Sequence, residues 1–263
     1  MRAAEPLHIS SRDNPLIKSF KRLAQEAGAY RKQGRVWIEG DHLCRAALER
    51  GVAPSMAVFT ESFWSSSGPY RLPAPGKNIV VTDALMAHVS GLESPAPMAF
   101  VLELPATPDL RAVAPTLVLD RVQDAGNVGS ILRSAGAFGF TQVAAIKGTA
   151  QLWSPKVLRA GMGAHFGLKL LEGLLPADLS ALSVPMLVTS SHEGGFLHES
   201  ELPWPCAWVM GHEGQGVSPE LAAQATQAVR IAQPGGEESL NVAAAAAICM
   251  HASAAAAARK SAD

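Results

Sequence analysis

Three short stretches of this chain combine glycines with polar side chains in patterns that could serve a bound ligand. The first, RVQDAGNVGSILR, follows an apolar run that ends at Asp120; Gly126 and Gly129 flank Asn127, and Arg133 lies further along. Glycines there let the backbone turn sharply or approach a ligand closely. A guanidinium at Arg133 could grip a phosphate or stabilise a developing oxyanion. The stretch lacks GxGxxG and is not followed by GK[ST], so neither a dinucleotide fingerprint nor a P-loop is present. An ordinary strand–turn–helix with Asn127 as N-cap would have the same spacing. The second stretch, GHEGQGVSPEL, follows the apolar AWVM and holds Gly211, Gly214 and Gly216 around Glu213. That carboxylate could accept hydrogen bonds or hold an arginine, although a flexible surface loop would also read this way. The third stretch, QPGGEESLN, leads into a run of alanines. Pro234, Gly235 and Gly236 form a turn there, and Ser239 is a candidate N-cap. Ser239 and Asn241 would lie beside the positive end of the helix that follows. Simple capping explains them equally well.

These stretches need strands to carry them, and the hydrophobic pattern supplies strands. From about residue 116 the chain alternates strands at 116–120, 142–146, 168–171, 186–190, 207–211 and 229–232 with helices. The helices are expected at 128–137, 155–159, 176–182, 219–224 and 240–259. Continuous apolar strands such as LVL and WVM belong to a sheet covered on both faces. Open parallel sheets bind ligands outside the carboxyl ends of their strands, where all three stretches begin. Residues 105–115 contain three prolines, at 105, 108 and 115, and read as a linker between domains at 1–104 and 116–263. The first domain opens with a helix that Asp13 or Asn14 can cap, with Pro15 in its first turn and Leu16, Ile17, Phe20, Leu23 and Ala24 on one face. Strands at 35–40, 56–60, 78–82 and 98–104 then alternate with helices at 41–50 and 83–89, which predicts a small α/β sandwich.

Composition narrows the class. The formal net charge of −1 excludes a protein that coats nucleic acid over its whole surface. Yet Arg12, Lys18, Lys21, Arg22, Arg31, Lys32 and Arg35 cluster near the N-terminus against only Asp13 and Glu26. Such a stripe could follow a phosphate backbone, or be a solvated helix face. The three cysteines, Cys44, Cys206 and Cys249, are too scattered for a disulfide framework or a zinc site. The eight histidines form no ligand-spaced cluster, so no metal is expected. No apolar run reaches the roughly 18 residues of a membrane span, and the N-terminus lacks a secretory h-region. A cytoplasmic protein with no membrane partner is the expectation.

Taken together and in order, DAGNVGSILRSAGAFG, WSPKVLRAGMGAHF, VMGHEGQGVS and ESLNVAAAAAI resemble the motifs of the SpoU/TrmH class of SPOUT methyltransferases. The resemblance spans essentially all of residues 115–258. SSRDNPLIKSFKRLAQ and WIEGDHLCRAAL are similar to that family's substrate-binding domain, itself like RNA-binding ribosomal proteins of the large subunit. The chain departs from the family pattern at Ala125, where proline is frequent, and at His212, where Asn or Ser is frequent. It also departs at Gln151, where an acid is frequent, and at Ile231–Ala232–Gln233 in place of Ile-Pro-Met. None of these removes a polar group assigned to chemistry.

The resemblance implies an α/β fold whose parallel sheet threads into a trefoil knot, preceded by the small α/β RNA-binding domain. It implies S-adenosyl-L-methionine as methyl donor, with Thr189, Gly211, Ile231 and Leu240 as its contacts. The acceptor would be a ribose 2′-hydroxyl, of ribosomal RNA before transfer RNA. Arg133 would stabilise the oxyanion or hold a phosphate, and Asn127 would orient the ribose. Glu213 would hold Arg133 or a substrate group, while Ser239 and Asn241 fix the active loop. Arg159 joins Arg12, Lys18, Lys21, Arg22, Arg31 and Lys32 as an RNA contact. The catalytic unit would be a homodimer in which one subunit's arginine faces the other's donor, with the alanine-rich helix at the interface. A base-methylating enzyme of the same fold and a non-catalytic RNA-binding or ribosome-assembly factor are the competing readings. A nicotinamide-dependent oxidoreductase is disfavoured by the missing glycine fingerprint.

Overall fold

The computed structural model describes residues 5–66, 77–190, 193–235 and 240–260. Its regular elements fall largely where the hydrophobic pattern changes period. After the short strand β1 (Leu7–Ile9), helix α1 (Pro15–Gln25) begins with Asn14 accepting from the Leu16 N–H at 2.9 Å and Pro15 in the first turn. Its apolar face buries Ile17, Phe20, Leu23 and Ala24. Then follow α2 (Ala29–Gln33), β2 (Arg35–Glu39), α3 (Asp41–Glu49), β3 (Met56–Thr60), α4 (Glu61–Ser66), β4 (Lys77–Val81), α5 (Asp83–Val89) and β5 (Met98–Glu103). The five strands form a mixed sheet in the order β1-β4-β3-β5-β2. β1, β4 and β3 run parallel, and β5 is antiparallel to both β3 and β2.

The second half carries β6 (Thr116–Leu119), α6 (Ala125–Ala137), β7 (Gln142–Ile146), α7 (Pro155–Gly161), β8 (Lys169–Leu174) and β9 (Met186–Thr189). It ends with β10 (Gly195–Phe196), β11 (Ala207–Met210), α8 (Pro219–Gln224), β12 (Gln227–Arg230) and α9 (Val242–Lys260). Its seven strands form an all-parallel sheet in the order β10-β12-β9-β11-β6-β7-β8. After β6 the chain moves outward through β7 and β8, then crosses to the other side for β9 to β12. That reversal beside β6 is the switch point at which open α/β sheets bind ligands. Val118, Ala144, Val188, Ala207 and Val209 pack on one face with Leu179 and Leu221. Trp208 is buried and donates through Nε1 to Ser253 Oγ of α9 at 2.9 Å, fixing the last helix against the sheet.

Several expectations are corrected. β1, α2, α4 and β10 are too short to show a period and were not expected. The expected helix at 176–182 is a 3-10 helix, Pro176–Ala181. β12 starts and ends two residues before the expected 229–232, which leaves Ile231 in the loop beyond it. α9 is 19 residues long with a mean hydropathy of 1.4 over its most apolar window, so among the described residues one helix is long and apolar enough, by length and composition, to cross a membrane. Alanine supplies that apolarity. Ala246, Cys249, Met250 and Ser253 are buried against the protein, and only 22% of the window is covered in all.

The chain divides into two compact units. The first comprises the residues up to Ala106 together with Trp153–Phe166; the second comprises Thr107–Leu152 and the residues from Gly167 onward. Segment 153–166, which sequence spacing assigns to the second domain, therefore belongs with the first. The reason is packing: α7 buries Val157 and Leu158 and lies against α1 and β2.

Candidate functional site

Within the second unit, the loops after β6 and β11 are tied together by side chains. Asp120, 1% exposed, accepts from the Ser218 N–H at 2.6 Å, while its own N–H continues the ladder to the Met210 carbonyl at 2.8 Å. Glu213 accepts from the backbone N–H groups of Gln123 (3.2 Å) and Asp124 (3.1 Å) and from Asn127 Nδ2 (3.2 Å). Burial pushes the Glu213 carboxyl up. The N–H groups of Glu213 itself, Asp124 and Gln123 and the Asn127 amide together outweigh it, and hold the group below the usual carboxylate range. Asn241 donates from Nδ2 to Asn127 Oδ1 at 3.0 Å, which brings in the third stretch. Glu213, Asn127 and Asn241 thus form one polar chain.

The caps differ from those the sequence suggests. Asp124, not Asn127, caps α6, accepting from the Asn127 N–H at 2.7 Å. Asn241 caps α9, accepting from Ala243 and Ala244 at 2.9 and 3.3 Å. Ser239 lies outside the described residues. Glu213 is committed to the backbone and Asn127, so it does not hold Arg133. Arg133 is exposed on α6 and makes no ion pair or side-chain hydrogen bond with a described residue.

A cavity of about 950 Å³ opens at these strand ends. Thr189, Gly211, Ile231 and Leu240, which come from four separate segments, all line it. Glu213, Asn241, Gln233, Val242 and Ala245 complete much of the wall. The glycine-rich loop is a closed turn: His212 and Gly216 exchange N–H···O bonds of 3.0 and 2.8 Å, and His212 Nδ1 accepts from the Gly214 N–H. Gly211 must be glycine because a Cβ there would sit 2.2 Å from the Gly216 carbonyl carbon. The wall mixes the glycine-rich backbone and apolar side chains with polar groups, and Gln233 Oε1 is buried in it without a partner among the described residues. Asn127 and Arg133 do not line this cavity; Asn127 reaches it through Asn241 and Glu213.

Sequence spacing missed Arg121. It adopts φ +60°, a left-handed conformation that costs a non-glycine residue about 1–2 kcal/mol. Nε donates to Asp120 Oδ1 at 2.9 Å and Nη1 to Gln215 Oε1 at 3.0 Å, while its N–H donates to Thr149 Oγ1 at 3.1 Å. A single buried Asp at a strand end was the available signal for this cluster.

The first unit holds every cation considered for RNA. Arg12, Lys18, Arg22, Arg31 and Lys32 are exposed. Lys18 pairs with Asp13 at 3.0 Å, an exposed contact of little energetic weight. Arg31 lies over the Tyr30 ring, 5.4 Å from its centroid. Lys21 Nζ sits 3.3 Å from His88 Nε2. Desolvation, then Lys21 and Arg12, hold the His88 imidazole below its ordinary range. Arg159, on α7, makes no ion pair or side-chain hydrogen bond with a described residue, and its helix packs on α1 in the same unit. Among the described residues no group of three or more His, Cys, Asp or Glu could hold a metal. Cys44, Cys206 and Cys249 are free and buried, and burial raises the Cys206 thiol to about 11 and the Cys249 thiol to about 12.

Comparison with known proteins agrees with this geometry. The profile of the SpoU rRNA methylase family matches residues 114–251, and that of the MRM3-like substrate binding domain matches residues 14–99. A tRNA/rRNA methyltransferase of Synechocystis sp., itself uncharacterized, is 31% identical over 92% of each chain. The 23S rRNA (guanosine(2553)-2′-O)-methyltransferase of Bacillus subtilis is 30% identical over 92% of this chain and 97% of its own. Among solved structures, a TrmH-family protein from Porphyromonas gingivalis superposes with a TM-score of 0.81, at 31% identity over 92% of this chain and 97% of that one. With its profile matched across more than half of the sequence and a whole-length relative at that identity, the chain belongs to the SpoU rRNA methylase family.

Proposed function

We propose that this protein transfers a methyl group from S-adenosyl-L-methionine to a ribose 2′-hydroxyl of ribosomal RNA. The observation that carries the reading is the convergence of Thr189, Gly211, Ile231 and Leu240 on one cavity. The residues present fit such a donor. Its adenine needs backbone hydrogen-bond groups and an apolar slot, which Gly211–Val217, Ile231, Leu240 and Val242 provide, and Gln233 Oε1 is an acceptor awaiting a donor group. Bound there, the cofactor supplies an electrophilic methyl group and leaves as the thioether S-adenosylhomocysteine.

The protein's own part is positioning, which can be worth about 7–11 kcal/mol when geometry is ideal. Asn127, held by Glu213 and Asn241, orients the ribose. Ser239 and Asn241 fix the loop that closes the site. Arg133 stabilises the developing 2′-oxyanion or grips the adjacent phosphate, roles that suit a guanidinium better than that of base. The cations Arg12, Lys18, Lys21, Arg22, Arg31, Lys32 and Arg159 hold the RNA backbone. Ribosomal RNA is preferred over transfer RNA because the Bacillus subtilis relative acts on 23S rRNA and because an MRM3-like substrate-binding domain is present.

The working form in this reading is a homodimer. Arg133 is exposed and away from its own chain's donor cavity, which suits a group that serves a partner's site. The uncovered part of α9, with Ile248 40% exposed, offers an apolar face for the interface. The reading also includes a trefoil knot in the second unit and a cytoplasmic location. An order with β12 outside β9, followed by a return of α9 to α6 and β11, is compatible with such threading.

The test is incubation with methyl-labelled donor and total RNA, followed by alkaline hydrolysis. Label in alkali-stable dinucleotides of ribosomal RNA is the expected result. Label in bases alone, or no uptake of S-adenosylhomocysteine by calorimetry, would overturn the proposal.

A further inference from the structure

Among the described residues, two that are not glycine have positive φ: Met162, which ends α7, and Arg121, which ends no helix. Arg121 follows β6 directly, and the surroundings over-determine its left-handed backbone. Its N–H is fixed by Thr149 Oγ1, which itself donates to the Leu119 carbonyl at 2.9 Å. Gly148 makes room for its aliphatic stem, since a Cβ on that residue would come within 3.3 Å of Arg121 Cγ. The guanidinium then bridges two anchors: the buried Asp120, and Gln215 at the tip of the turn that carries Gly211, Glu213 and Gly216. Gln215 lines both the 950 Å³ cavity and a neighbouring one of about 380 Å³. A strained conformation kept where glycine or asparagine would relax it points to a side chain that the position needs.

We infer that Arg121 is a positioning residue that acts through Gln215 to hold the Gly211–Val217 turn in the shape the methyl donor requires. The inference rests on the proposed donor site but concerns a residue that the family motifs do not name. Asp120 anchors one end of the bridge and fixes Ser218 with its other oxygen, so the turn is gripped at its tip and at its end. The guanidinium contributes to ground-state binding of the donor and not to the methyl transfer itself.

Arg121→Gly separates backbone from side chain, because glycine accepts the same φ without strain. The expected result is a lower unfolding temperature, because the buried Asp120 loses its ion pair and relief of strain returns only part of that cost; Gln215→Ala, which keeps the pair, should unfold at an unchanged temperature. The Kd of Arg121→Gly for S-adenosylhomocysteine, and its KM for the donor, should rise about 10-fold, with kcat altered less than about twofold. Gln215→Ala should match it in affinity, and the double variant should be no worse than either single one. Gln215→Glu, which keeps an acceptor for the guanidinium, should restore affinity to within about threefold. Amide exchange of residues 213–217, measured without any ligand, should be faster in Arg121→Gly. Unchanged exchange would overturn the positioning role whatever the cavity binds. So would unchanged donor affinity, or a loss of affinity in Arg121→Gly that Gln215→Ala, at its unchanged unfolding temperature, does not share. Faster exchange in a protein that never binds S-adenosylhomocysteine would instead retire the methyl-donor reading and leave the mechanical role of Arg121 standing.

Discussion

The cavity at the strand ends of the second unit and the cations of the first unit use polar groups in opposite ways. Around the cavity, the carboxylates and Asn241 are consumed by other parts of the protein, and Gln233 is the exception. Glu213 is satisfied by two backbone N–H groups and Asn127, Asp120 by Ser218 and Arg121, and Asn241 by Asn127 and the start of α9. In the first unit Arg12, Arg22 and Lys32 are exposed, and Lys21 meets the His88 imidazole in place of a carboxylate. A small ligand is best met by a wall whose geometry is fixed in advance. A polyanion gains from cations left solvated and adjustable, because counterion release supplies much of its affinity. Arg133 stands apart from the cavity's pattern: it lies on a helix tied into the wired region, yet it is exposed and makes no ion pair or side-chain hydrogen bond with a described residue.

That contrast is broken or sharpened by substitutions of decreasing effect. Arg133→Ala should lower kcat by about 100- to 1000-fold, with calorimetric affinity for S-adenosylhomocysteine unchanged. A variant that keeps its rate would remove Arg133 from the chemistry, whereas an unchanged phenotype despite a lost rate would favour a purely RNA-binding role for the protein. Gly211→Ala forces backbone against backbone, a strain of about 1–3 kcal/mol or more. Donor affinity should fall about 10- to 100-fold while RNA retention on a filter is unaffected; full donor affinity would show that the turn is not fixed in advance. Lys21→Ala should raise KM for RNA a few-fold and reduce the slope of log K against log salt by about 0.7–0.9. Loss of donor binding in that variant would erase the distinction between the two regions.

Acid offers a gentler probe of the wiring. The folded-state pKa of Glu213 lies below its ordinary 4.5, so its bonds to Gln123, Asp124 and Asn127 are fully present above about 4.5. They are lost only as pH falls through the depressed value. Donor affinity is expected to stay level from neutrality down to about pH 4.5 and to weaken below it. Glu213→Gln should lose that acid limb. Weakening that already begins near pH 6 would assign the titration to another group.

Much of the candidate site was legible in the sequence because glycine, a lone carboxylate and a lone arginine at strand ends are conspicuous locally. The parallel sheet was legible because strands buried on both faces read as continuous apolar runs. What escaped depends on partners distant in sequence. Arg121 finds Gln215 across 94 residues and Ser218 finds Asp120 across 98, and no local pattern announces either pairing. Cap assignment failed for a different reason. Asp124 and Asn127 are three residues apart, as Asn241 is two from Ser239, and each is a residue type that caps helices, so sequence spacing alone does not choose between them. β12 was misplaced by two residues because Val229, Ile231 and Ala232 read as one apolar strand, although the ladder ends at Arg230.

Segment 153–166 carries a practical lesson for anyone wishing to dissect the protein. Since it is built into the first unit while its flanks, up to Leu152 and from Gly167, belong to the second, no single cut yields two independent modules. A truncation that begins at the linker would leave Val157 and Leu158 bared to solvent, inviting aggregation. The polypeptide visits the same compact unit twice, so the first unit cannot be completed until residues 153–166 have been made.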